Sequence, residues 1–450
     1  MQNLKFKTNK MIPLLFLMLL FSSENYAEEI KLVKRVVDEE GRPIVTDPLA
    51  YPRCDEYEYT ERCIDLRSIP DIDESEPENK QIVSSKFKKW QIGPYKMHMY
   101  SIIDSMNSYS NVTVNSAGKI FAAGGPQLQF LRGEDQADQT WERRFYSRFS
   151  DSFRDIKQID QTLFAVGTSG VIYRSRNFGE NWEVFTQIFI DPYSYQDLKQ
   201  PEIEEKWHQF HEKMDDLKFK YTEAYSIAFD PFSSTQQKNG VVVGYEKILH
   251  TSDTGQTWKK LDFSLKDDVL QEATFSEKDH VWAVGTRGTV IKSVDAGQTW
   301  TKQTVLNPQA HWLSIDFITP EKGCLSGSGE IWCTENAGVD WQKSKLNLPK
   351  TLEMGDRIMR LRWMDTKEAW AVVTTGQILK TVDGGKNWSL FANMNQLDPR
   401  FKQVQLWGLF IDRSHKKIYA SGGLLVNDDA KKSDKKDVFS DSGIILTWQK

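Results

Sequence analysis

The segment Ser293-Val-Asp-Ala-Gly-Gln-Thr-Trp300 is the clearest copy of an eight-residue motif that occurs five times in this 450-residue chain. Its general form is Ser/Thr-x-Asp/Asn-x-Gly-x-x-Trp, and we refer to it as the box. A short carboxylate or amide in a tight turn accepts hydrogen bonds from backbone N–H groups just downstream. The glycine supplies a positive φ, and the tryptophan offers a large apolar ring for burial between repeats. The box therefore predicts a structural turn, not a catalytic site.

The three fixed positions of every box are assigned this structural role. They are Asn177, Gly179 and Trp182; Asp253, Gly255 and Trp258; Asp295, Gly297 and Trp300; Asn336, Gly338 and Trp341; and Asp383, Gly385 and Trp388.

A second pattern precedes the boxes. Residues 164–173, 282–291 and 370–379 each contain two short apolar runs around a glycine-bearing turn, as expected of a β-hairpin. Weaker versions start near residues 120, 240, 323 and 418, so we count seven hairpins. A further apolar run lies upstream of each hairpin, which makes a repeat of strand, two-stranded hairpin, box and fourth strand.

Four-stranded units repeated in this way are typical of propeller blades. The strand at Trp90 has no hairpin before it, and the last hairpin, ending near Trp448, has no outer strand after it. Pairing the two would close the ring and leave no open edge. We predict an all-β fold, a seven-bladed β-propeller of four-stranded blades over residues 86–450, closed by the N-terminal strand pairing with the C-terminal blade. Two degenerate repeats leave six or eight blades as alternatives.

The box and the hairpin together resemble the Asp-box, or bacterial neuraminidase, repeat. That repeat occurs in sialidases, sortilin-type receptors, some large glycosidases and the photosystem II assembly/stability factor-like propellers. The Ala-Val-Gly-x-x-Gly hairpin and the Thr/Ser-x-Asp-x-Gly-x-x-Trp turn are most similar to the last group. This resemblance implies the propeller fold and a protein-binding role that uses arginines on one face.

The N-terminus predicts export. Three lysines precede an apolar run at 11–21 that ends in a short polar stretch, the three parts of a secretory signal peptide over residues 1–27. A mostly polar extension follows at 28–85. Removal of residues 1–27 changes the formal charge from −5 to −7, because they carry three Lys and one Glu. An acidic chain gives no reason to expect nucleic acid as a partner, and the expected location is periplasmic or secreted.

An oxidising compartment favours disulfides for the four cysteines. Cys324 and Cys333 flank a hairpin turn and could face each other across it, and Cys54 with Cys63 would close a small loop in the extension. Zinc is the alternative, but the spacing of nine is wide and no histidine pair accompanies either couple.

Two segments interrupt the repeat. Apolar residues at steps of three and four predict a helical insertion at about 191–222. Its stripe, which includes Trp207 and Phe210, would pack on the propeller or enter a partner groove. Residues 427–442 predict a mobile, solvated loop.

These observations favour a non-catalytic scaffold or assembly factor that binds a protein of a membrane or envelope complex, as a monomer or accessory subunit. We expect no cofactor and no metal. A secreted sialidase-like glycoside hydrolase or a glycan-binding protein is the alternative. Arginine forks suit carboxylates, so the candidate partner-binding residues are Arg143, Arg144, Arg148, Arg154, Arg357, Arg360 and Arg362, together with Trp207 and Phe210.

Overall fold

The structure, a computed structural model, describes three short N-terminal strands and most of the chain from residue 80 onwards. The described ranges are 29–31, 36–37, 43–44, 80–102, 108–124, 129–135, 140–145, 153–167, 172–179, 183–185 and 223–450, the last with gaps at 235, 246, 264, 266–267, 304–306, 353–354 and 428–440. The predicted helix at 191–222, the pair Cys54 and Cys63, and residues 428–440 of the predicted loop lie outside these ranges.

The strands form seven blades, so the predicted seven-bladed β-propeller is confirmed. The N-terminal strands are β1 (Glu29–Lys31), β2 (Val36–Val37), β3 (Pro43–Ile44), β4 (Lys80–Ile92) and β5 (Tyr95–Ile102). Blade 1 contains β6 (Tyr109–Val114), β7 (Lys119–Gly124), β8 (Gln129–Glu134) and β9 (Thr140–Phe145). Blade 2 contains β10 (Phe153–Ile159), β11 (Thr162–Gly167), β12 (Ile172–Ser175) and β13 (Glu183–Phe185). Blade 3 contains β14 (Ala224–Phe229), β15 (Gly240–Gly244), β16 (Lys247–Thr251) and β17 (Thr257–Lys260).

The remaining blades repeat this order. Blade 4 contains β18 (Leu270–Glu277), β19 (His280–Gly285), β20 (Val290–Ser293) and β21 (Thr301–Lys302). Blade 5 contains β22 (Trp312–Phe317), β23 (Gly323–Gly327), β24 (Ile331–Thr334) and β25 (Gln342–Lys343). Blade 6 contains β26 (Lys345–Asn347), β27 (Ile358–Trp363), β28 (Ala369–Val373), β29 (Gln377–Thr381) and β30 (Asn387–Asn393), and a 3-10 turn (Met394–Gln396) follows it. Blade 7 contains β31 (Phe401–Asp412), β32 (Lys417–Val426) and β33 (Ser442–Gln449).

Blade 7 is completed by the N-terminal part of the chain, as predicted. Its fourth strand is β5, which pairs along β33 so that Ser101 lies opposite Ile444. The sequence places Trp90 on this fourth strand, whereas Trp90 lies on β4, one strand further out. The reason is a tight turn at Gly93, whose φ is 55°, which folds β4 back onto β5. The first half of β4 continues onto β9, so one strand joins blade 7 to blade 1.

Blades 3 and 6 also gain a fifth strand. The N-terminal strand β1 pairs antiparallel with β17, and β26 pairs parallel with β30. Added strands of this kind satisfy backbone groups that an outer blade edge would otherwise expose. Within the described residues, no helix has the length and apolar character needed to cross a bilayer.

The second strand of each blade forms the core of the disc. In β15, β23 and β28 every residue is buried, because neighbouring blades stack on both of their faces. The innermost strands β6, β10, β14, β18, β22, β27 and β31 contact one another in a closed ring around a central channel. The apolar hairpins recognised in the sequence therefore supply the buried side chains that pack between neighbouring blades.

The hydroxyl and the carboxylate of the box hold the turn together. Ser293 Oγ accepts a hydrogen bond from the Gly297 N–H at 2.8 Å and donates one to Asp295 Oδ1 at 2.7 Å. Asp295 Oδ1 also accepts from the Thr299 N–H at 2.8 Å. The bond from the glycine N–H to the hydroxyl occurs in all five boxes, at 2.7 to 3.2 Å. The five glycines have φ values between 71° and 94°.

Each of four box glycines also lies against the second strand of the preceding blade. A Cβ added to Gly338 would lie 2.3 Å from Trp282 Cη2. The equivalent approaches are Gly255 to Phe164, Gly297 to Val241 and Gly385 to Cys324. Glycine is required at these positions because the backbone is left-handed and a neighbouring blade leaves no room for a side chain.

In every blade, the second-strand residue equivalent to Trp282 is paired across the hairpin with a residue of the third strand. The pairs are Phe121 with Arg132, Phe164 with Arg174, Val241 with His250, Trp282 with Lys292, Cys324 with Cys333, Trp370 with Lys380 and Tyr419 with Thr447. The ammonium groups of Lys292 and Lys380 lie 4.6 and 4.7 Å from the ring centroids of their tryptophans. In blade 5 the pair is a disulfide, so the predicted bond between Cys324 and Cys333 is confirmed.

The seam between blade 7 and blade 1 has no intact box. Asp135 lies there instead and accepts hydrogen bonds from Thr447 at 2.9 Å and from the Tyr100 hydroxyl. Lys417 forms an ion pair with the same carboxylate. Burial opposes ionisation of Asp135, but the hydrogen bonds from Lys417 and Tyr100 outweigh it and lower its pKa. A charge therefore replaces the glycine contact where the ring closes.

Two glycine substitutions separate backbone strain from packing. Gly338 and Gly118 have φ values of 80° and 79°, but only Gly338 faces another blade, and no atom of the described residues lies within 4 Å of a Cβ on Gly118. We expect Gly118→Ala to cost about 1 kcal/mol of unfolding free energy through backbone strain alone. We expect Gly338→Ala to cost about 2 kcal/mol more, because Trp282 must move. Urea denaturation measures both values, and equal losses would contradict the seam contact.

The disulfide can be tested by replacing it with the pair used in blade 4. Cys324→Ala with Cys333→Ala should lower the unfolding free energy by about 2 to 3 kcal/mol, because the bond closes a short loop and shields Gly385. Cys324→Trp with Cys333→Lys should recover part of that loss. Guanidinium denaturation of the oxidised and reduced protein provides the measurement, and an unchanged midpoint after reduction would refute a stabilising role.

Candidate functional site

The innermost strand of every blade contains a β-bulge at the same position. A bulge inserts one unpaired residue and re-aims the side chains beside it. The innermost strands all begin at one face of the disc, so the seven bulges surround one mouth of the channel. We call these residues the rim: Ser110, Arg154, Tyr225, Gln271, Leu313, Met359 and Trp407.

The residue after each bulge is buried and belongs to a second layer, the channel ring. The channel ring consists of Asn111, Asp155, Ser226, Glu272, Ser314, Arg360 and Gly408. Six of the seven are polar or charged. Burial of such groups is costly unless they are hydrogen-bonded, so their partners decide what this layer does.

The channel-ring side chains bind the backbone of the next blade. Asp155 Oδ2 accepts from the Ile227 N–H at 3.1 Å, and Glu272 Oε2 accepts from the Ile315 N–H at 2.9 Å. Ser314 Oγ accepts from the Leu361 N–H at 3.0 Å, and the Ser226 hydroxyl accepts from blade 4 in the same way. Four consecutive seams, from blade 2 to blade 6, thus carry the same bond. These polar residues join blades and are not free for chemistry.

Glu272 is the electrostatic centre of the channel. Arg362 reaches it from two blades away with both Nη atoms, and Arg360 Nε lies 3.6 Å from Oε1. Burial would raise the pKa of Glu272, but the opposing charges of Arg362 and Arg360 outweigh it and lower the pKa to about 2. Burial likewise disfavours the charged form of Arg362, yet the field of Glu272 raises its pKa. The cluster is therefore ionised at neutral pH.

The structure separates the predicted arginines into three groups. Arg360 and Arg362 line the channel and bind Glu272. Arg154 belongs to the rim and Arg357 is exposed just before β27, so both lie at the same mouth. Arg143 and Arg144 lie on β9, the fourth strand of blade 1 counted from the channel, where β9 pairs with β8 and β4. Arg148, Trp207, Phe210 and Trp182 lie outside the described ranges.

At the rim, Arg154 has an aromatic neighbour and an unused donor. Its guanidinium lies 5.5 Å from the Tyr225 ring centroid, and its buried Nε has no hydrogen-bond partner among the described residues. Tyr225 in turn donates to Glu223. Most rim side chains are half-buried. In the part of the chain that the structure describes, no three His, Cys, Asp or Glu side chains come together to hold a metal ion.

Sequence reasoning missed Asp155, Lys157, Glu272 and Asp316 as members of the channel. A signal for the channel ring was present, because each innermost strand contains, in this order, an apolar residue, any residue, a small or polar residue, and another apolar residue. The seven copies are 109–112, 153–156, 224–227, 270–273, 312–315, 358–361 and 406–409. This pattern is short and degenerate, and it becomes readable only once the strands are known to converge.

The fold and the seams define the class: a seven-bladed Asp-box β-propeller with a polar channel. Residues 203–302 match the family model described as photosynthesis system II assembly factor YCF48. A photosystem II assembly protein Ycf48 from a Synechococcus strain is 31% identical over 136 residues, which cover 29% of this chain and 39% of the relative. This chain therefore matches well under half the length of that relative, and other relatives of that name are lipoproteins.

Solved structures agree on the fold. A structure described as YCF48 bound to D1 peptide superposes with a TM-score of 0.51 at 14% identity, covering 90% of this chain and 100% of that one. A virginiamycin B lyase from Staphylococcus aureus gives a TM-score of 0.55 at 10% identity, covering 79% and 99%. At these identities the likeness concerns the fold alone. The predicted resemblance to the photosystem II assembly/stability factor-like Asp-box propellers is confirmed.

Glu272→Gln should leave the charges in the channel unbalanced and so destabilise the fold. Removing this carboxylate leaves Arg360 and Arg362 without their anion, so we expect a loss of about 3 to 5 kcal/mol of unfolding free energy. The matched control is Glu335→Gln, because Glu335 is exposed and its ion pair with Lys322 should be worth less than about 0.5 kcal/mol.

The buried carboxylate of Glu272 should also make the stability of the protein depend on pH. The pKa of Glu272 falls from its ordinary 4.5 to about 2 on folding, so its stabilising effect is complete above about pH 5 and is lost as the pH falls towards 2. Denaturation midpoints at pH 7, 4 and 3 measure this. Glu272→Gln should flatten the acid-side loss, and an acid profile identical to that of the parent protein would contradict the assignment.

Proposed function

We propose that this chain is an exported, non-catalytic β-propeller that binds a protein partner and serves as a scaffold or assembly factor for a membrane or envelope complex. The observation that carries the proposal is the rim, which gathers aromatic, aliphatic and arginine side chains at one mouth of the channel. Aromatic residues, Met and Arg are the types enriched at the centre of protein interfaces.

The charge of this mouth indicates the chemistry of the partner. Arg357 is exposed, and Arg154 keeps a donor that no described residue uses. Guanidinium groups suit carboxylates, so the partner is an acidic protein segment. The solved YCF48 structure with a D1 peptide and the assembly-factor relatives support a protein partner for a propeller of this kind.

Support for export comes from the predicted signal peptide and from the disulfide between Cys324 and Cys333, since such bonds persist in oxidising compartments. The alternative is a secreted, sialidase-like glycoside hydrolase. Turnover of a fluorogenic sialic acid or glucan substrate would favour that alternative.

The decisive experiment is partner capture from the native envelope with two matched double variants. Arg154→Glu with Arg357→Glu reverses the charge of the rim mouth. Lys367→Glu with Lys416→Glu makes the same change in two turns at the opposite face. Arg360 and Arg362 are unsuitable targets, because their loss would disturb Glu272 and the fold.

We expect the parent protein and the opposite-face variant to recover the same partner after crosslinking, mild detergent extraction and mass spectrometry. The rim variant should recover at least tenfold less, because two attractive charges become repulsive. Equal recovery with both variants would refute binding at the rim, and recovery of no specific partner by the parent protein would refute the scaffold role.

A further inference from the structure

The boxes lie on the face of the disc opposite the rim, which we call the box face. Each innermost strand begins at the rim, so the turn that follows it and the box of the same blade both reach this opposite face. In blades 3 to 6 a backbone hydrogen bond of 2.7 to 2.9 Å joins the two turns. Its donors and acceptors are Thr254 with Lys238, Ala296 with Asp279, Ala337 with Glu321, and Gly384 with Lys367. Paired turns, not single loops, therefore form this face.

Exposed apolar side chains are concentrated on the box face. Five large apolar side chains are exposed in the described part of the chain, and four of them lie here: Phe232 (52%), Val294 (61%), Val339 (79%) and Val382 (63%). They occur one to a blade in the four consecutive blades 3 to 6. The fifth, Leu425, lies near the end of β32 on the rim side. Single exposed apolar residues are ordinary, but a row of them along one arc needs a physical reason.

The fold gives the three valines no role. Val294 and Val382 occupy the second position of their boxes, where the boxes of blades 2 and 3 carry Arg176 and Ser252. Tight turns favour Gly, Pro, Asn, Asp and Ser, whereas Val is enriched in strands. Because more than half of each valine side chain is exposed, none of them fills the core. Aliphatic residues at these turns therefore indicate contact with something outside the described chain.

The box face of blades 4 to 6 is also acidic. The turns at 277–280, 294–299, 319–322, 335–340, 365–368 and 382–387 carry nine carboxylates and four lysines, a net charge of −5. Lys292 and Lys380, which lie on tryptophan rings beside these turns, reduce the excess to three negative charges. Burial disfavours ionisation of Asp295 and Asp383, but hydrogen bonds within their own turns outweigh it and lower both pKa values. Both carboxylates are therefore charged at neutral pH.

This charge decides which occupant fits the row of valines. The long segments of the same chain outside the described ranges are unsuited, because they are acidic themselves. Residues 46–79 carry eleven carboxylates and three arginines, and residues 191–222 carry eight carboxylates and five lysines. A second copy in a two-fold contact would place this acidic surface against itself, and like charges facing each other across an interface are costly. The complementary occupant is a different protein that carries positive charge.

We propose that the box face of blades 4 to 6 binds a protein segment in which lysine or arginine residues lie among aliphatic ones. Val294, Val339 and Val382 contact its aliphatic side chains, and the carboxylates beside them attract its cations. Phe232 extends the apolar contact to blade 3. This surface is separate from the rim, whose proposed partner is acidic. The propeller therefore holds two segments of opposite charge on its two faces.

Serine substitutions test the contact at positions where the fold does not use the side chain. Val294→Ser, Val339→Ser and Val382→Ser, made together, remove the aliphatic side chains, and serine suits a turn. Gln256→Ser with Gln298→Ser is the matched control, because both glutamines are exposed box residues on the same face. We expect the same thermal unfolding midpoint for both variants and the parent protein. A lower midpoint for the valine variant alone would show that the valines pack within the protein, and would overturn the proposal.

The binding probe is a short synthetic peptide in which leucine alternates with lysine, titrated by fluorescence anisotropy. Two comparison peptides replace every lysine with glutamate or every leucine with serine. We expect the parent protein and the glutamine variant to bind the leucine–lysine peptide equally, and the valine variant to bind it about tenfold more weakly, because apolar contacts are lost. The comparison peptides should bind the parent protein more weakly as well. Equal binding by the valine variant, or by the glutamate peptide, would overturn the proposal.

Site-specific crosslinking in the native envelope tests the same surface without a designed peptide. A benzophenone amino acid in place of Val339 should crosslink to a basic, aliphatic segment of another protein, and Val294→Ser with Val382→Ser should reduce that adduct. The rim variant, Arg154→Glu with Arg357→Glu, should leave the adduct unchanged, so failure at one face is distinguishable from failure at the other. No adduct, or an adduct with lipid, with an acidic segment or with a second copy of this chain, would refute the assignment.

Discussion

The close approach of a box glycine to the neighbouring blade is the constraint on which the described propeller most depends. The turn needs a left-handed backbone, and the second strand of the preceding blade needs the space that a side chain would fill. At Gly338 both demands meet in one residue, with Trp282 packed against it. A blade is therefore incomplete by itself, because its core side chain is covered by the turn of the next blade. The same dependence recurs at four consecutive seams, from blade 2 to blade 6, so each of these blades needs its neighbour for stability.

The position covered by that turn tolerates different chemistry. A phenylalanine–arginine pair, a valine–histidine pair, a tryptophan–lysine pair and a disulfide occupy it in successive blades. What these solutions share is that a side chain of each pair lies against the box glycine of the next blade. The disulfide achieves this with two small residues, where elsewhere a large ring is used. At the seam without an intact box, Asp135 replaces packing by hydrogen bonds and an ion pair. The arrangement of neighbouring blades is thus kept, although the kind of interaction that joins them differs from seam to seam.

The fold could be predicted from the sequence because its signals are local. The box carries its own hydrogen bonds within eight residues, as at Ser293 and Asp295, and the hairpins show their apolar runs directly. The disulfide between Cys324 and Cys333 could be predicted because the two residues flank the turn of one hairpin. The position of Trp90 could not be predicted, since a turn at Gly93 decides which strand meets blade 7.

The channel was harder to predict for a physical reason. Glu272 and Arg362 lie 90 positions apart and meet only because seven innermost strands converge. A sequence shows that an arginine is present on such a strand but not which carboxylate lies opposite. Arg360 and Arg362 thus look like surface-binding residues in the sequence and act as channel residues in the structure. Arg154 is the bulge residue of blade 2 and Arg357 lies just before β27, so both reach the mouth and not the channel.

The strand that completes blade 7 has a consequence for biosynthesis. Ser101 and Ser442 exchange a hydrogen bond at 2.6 Å although 341 positions separate them. During translation β5 has no partner until β33 has been synthesised. A polypeptide with this connectivity therefore stays open for nearly its entire synthesis, and the ring closes only when β33 pairs with β5.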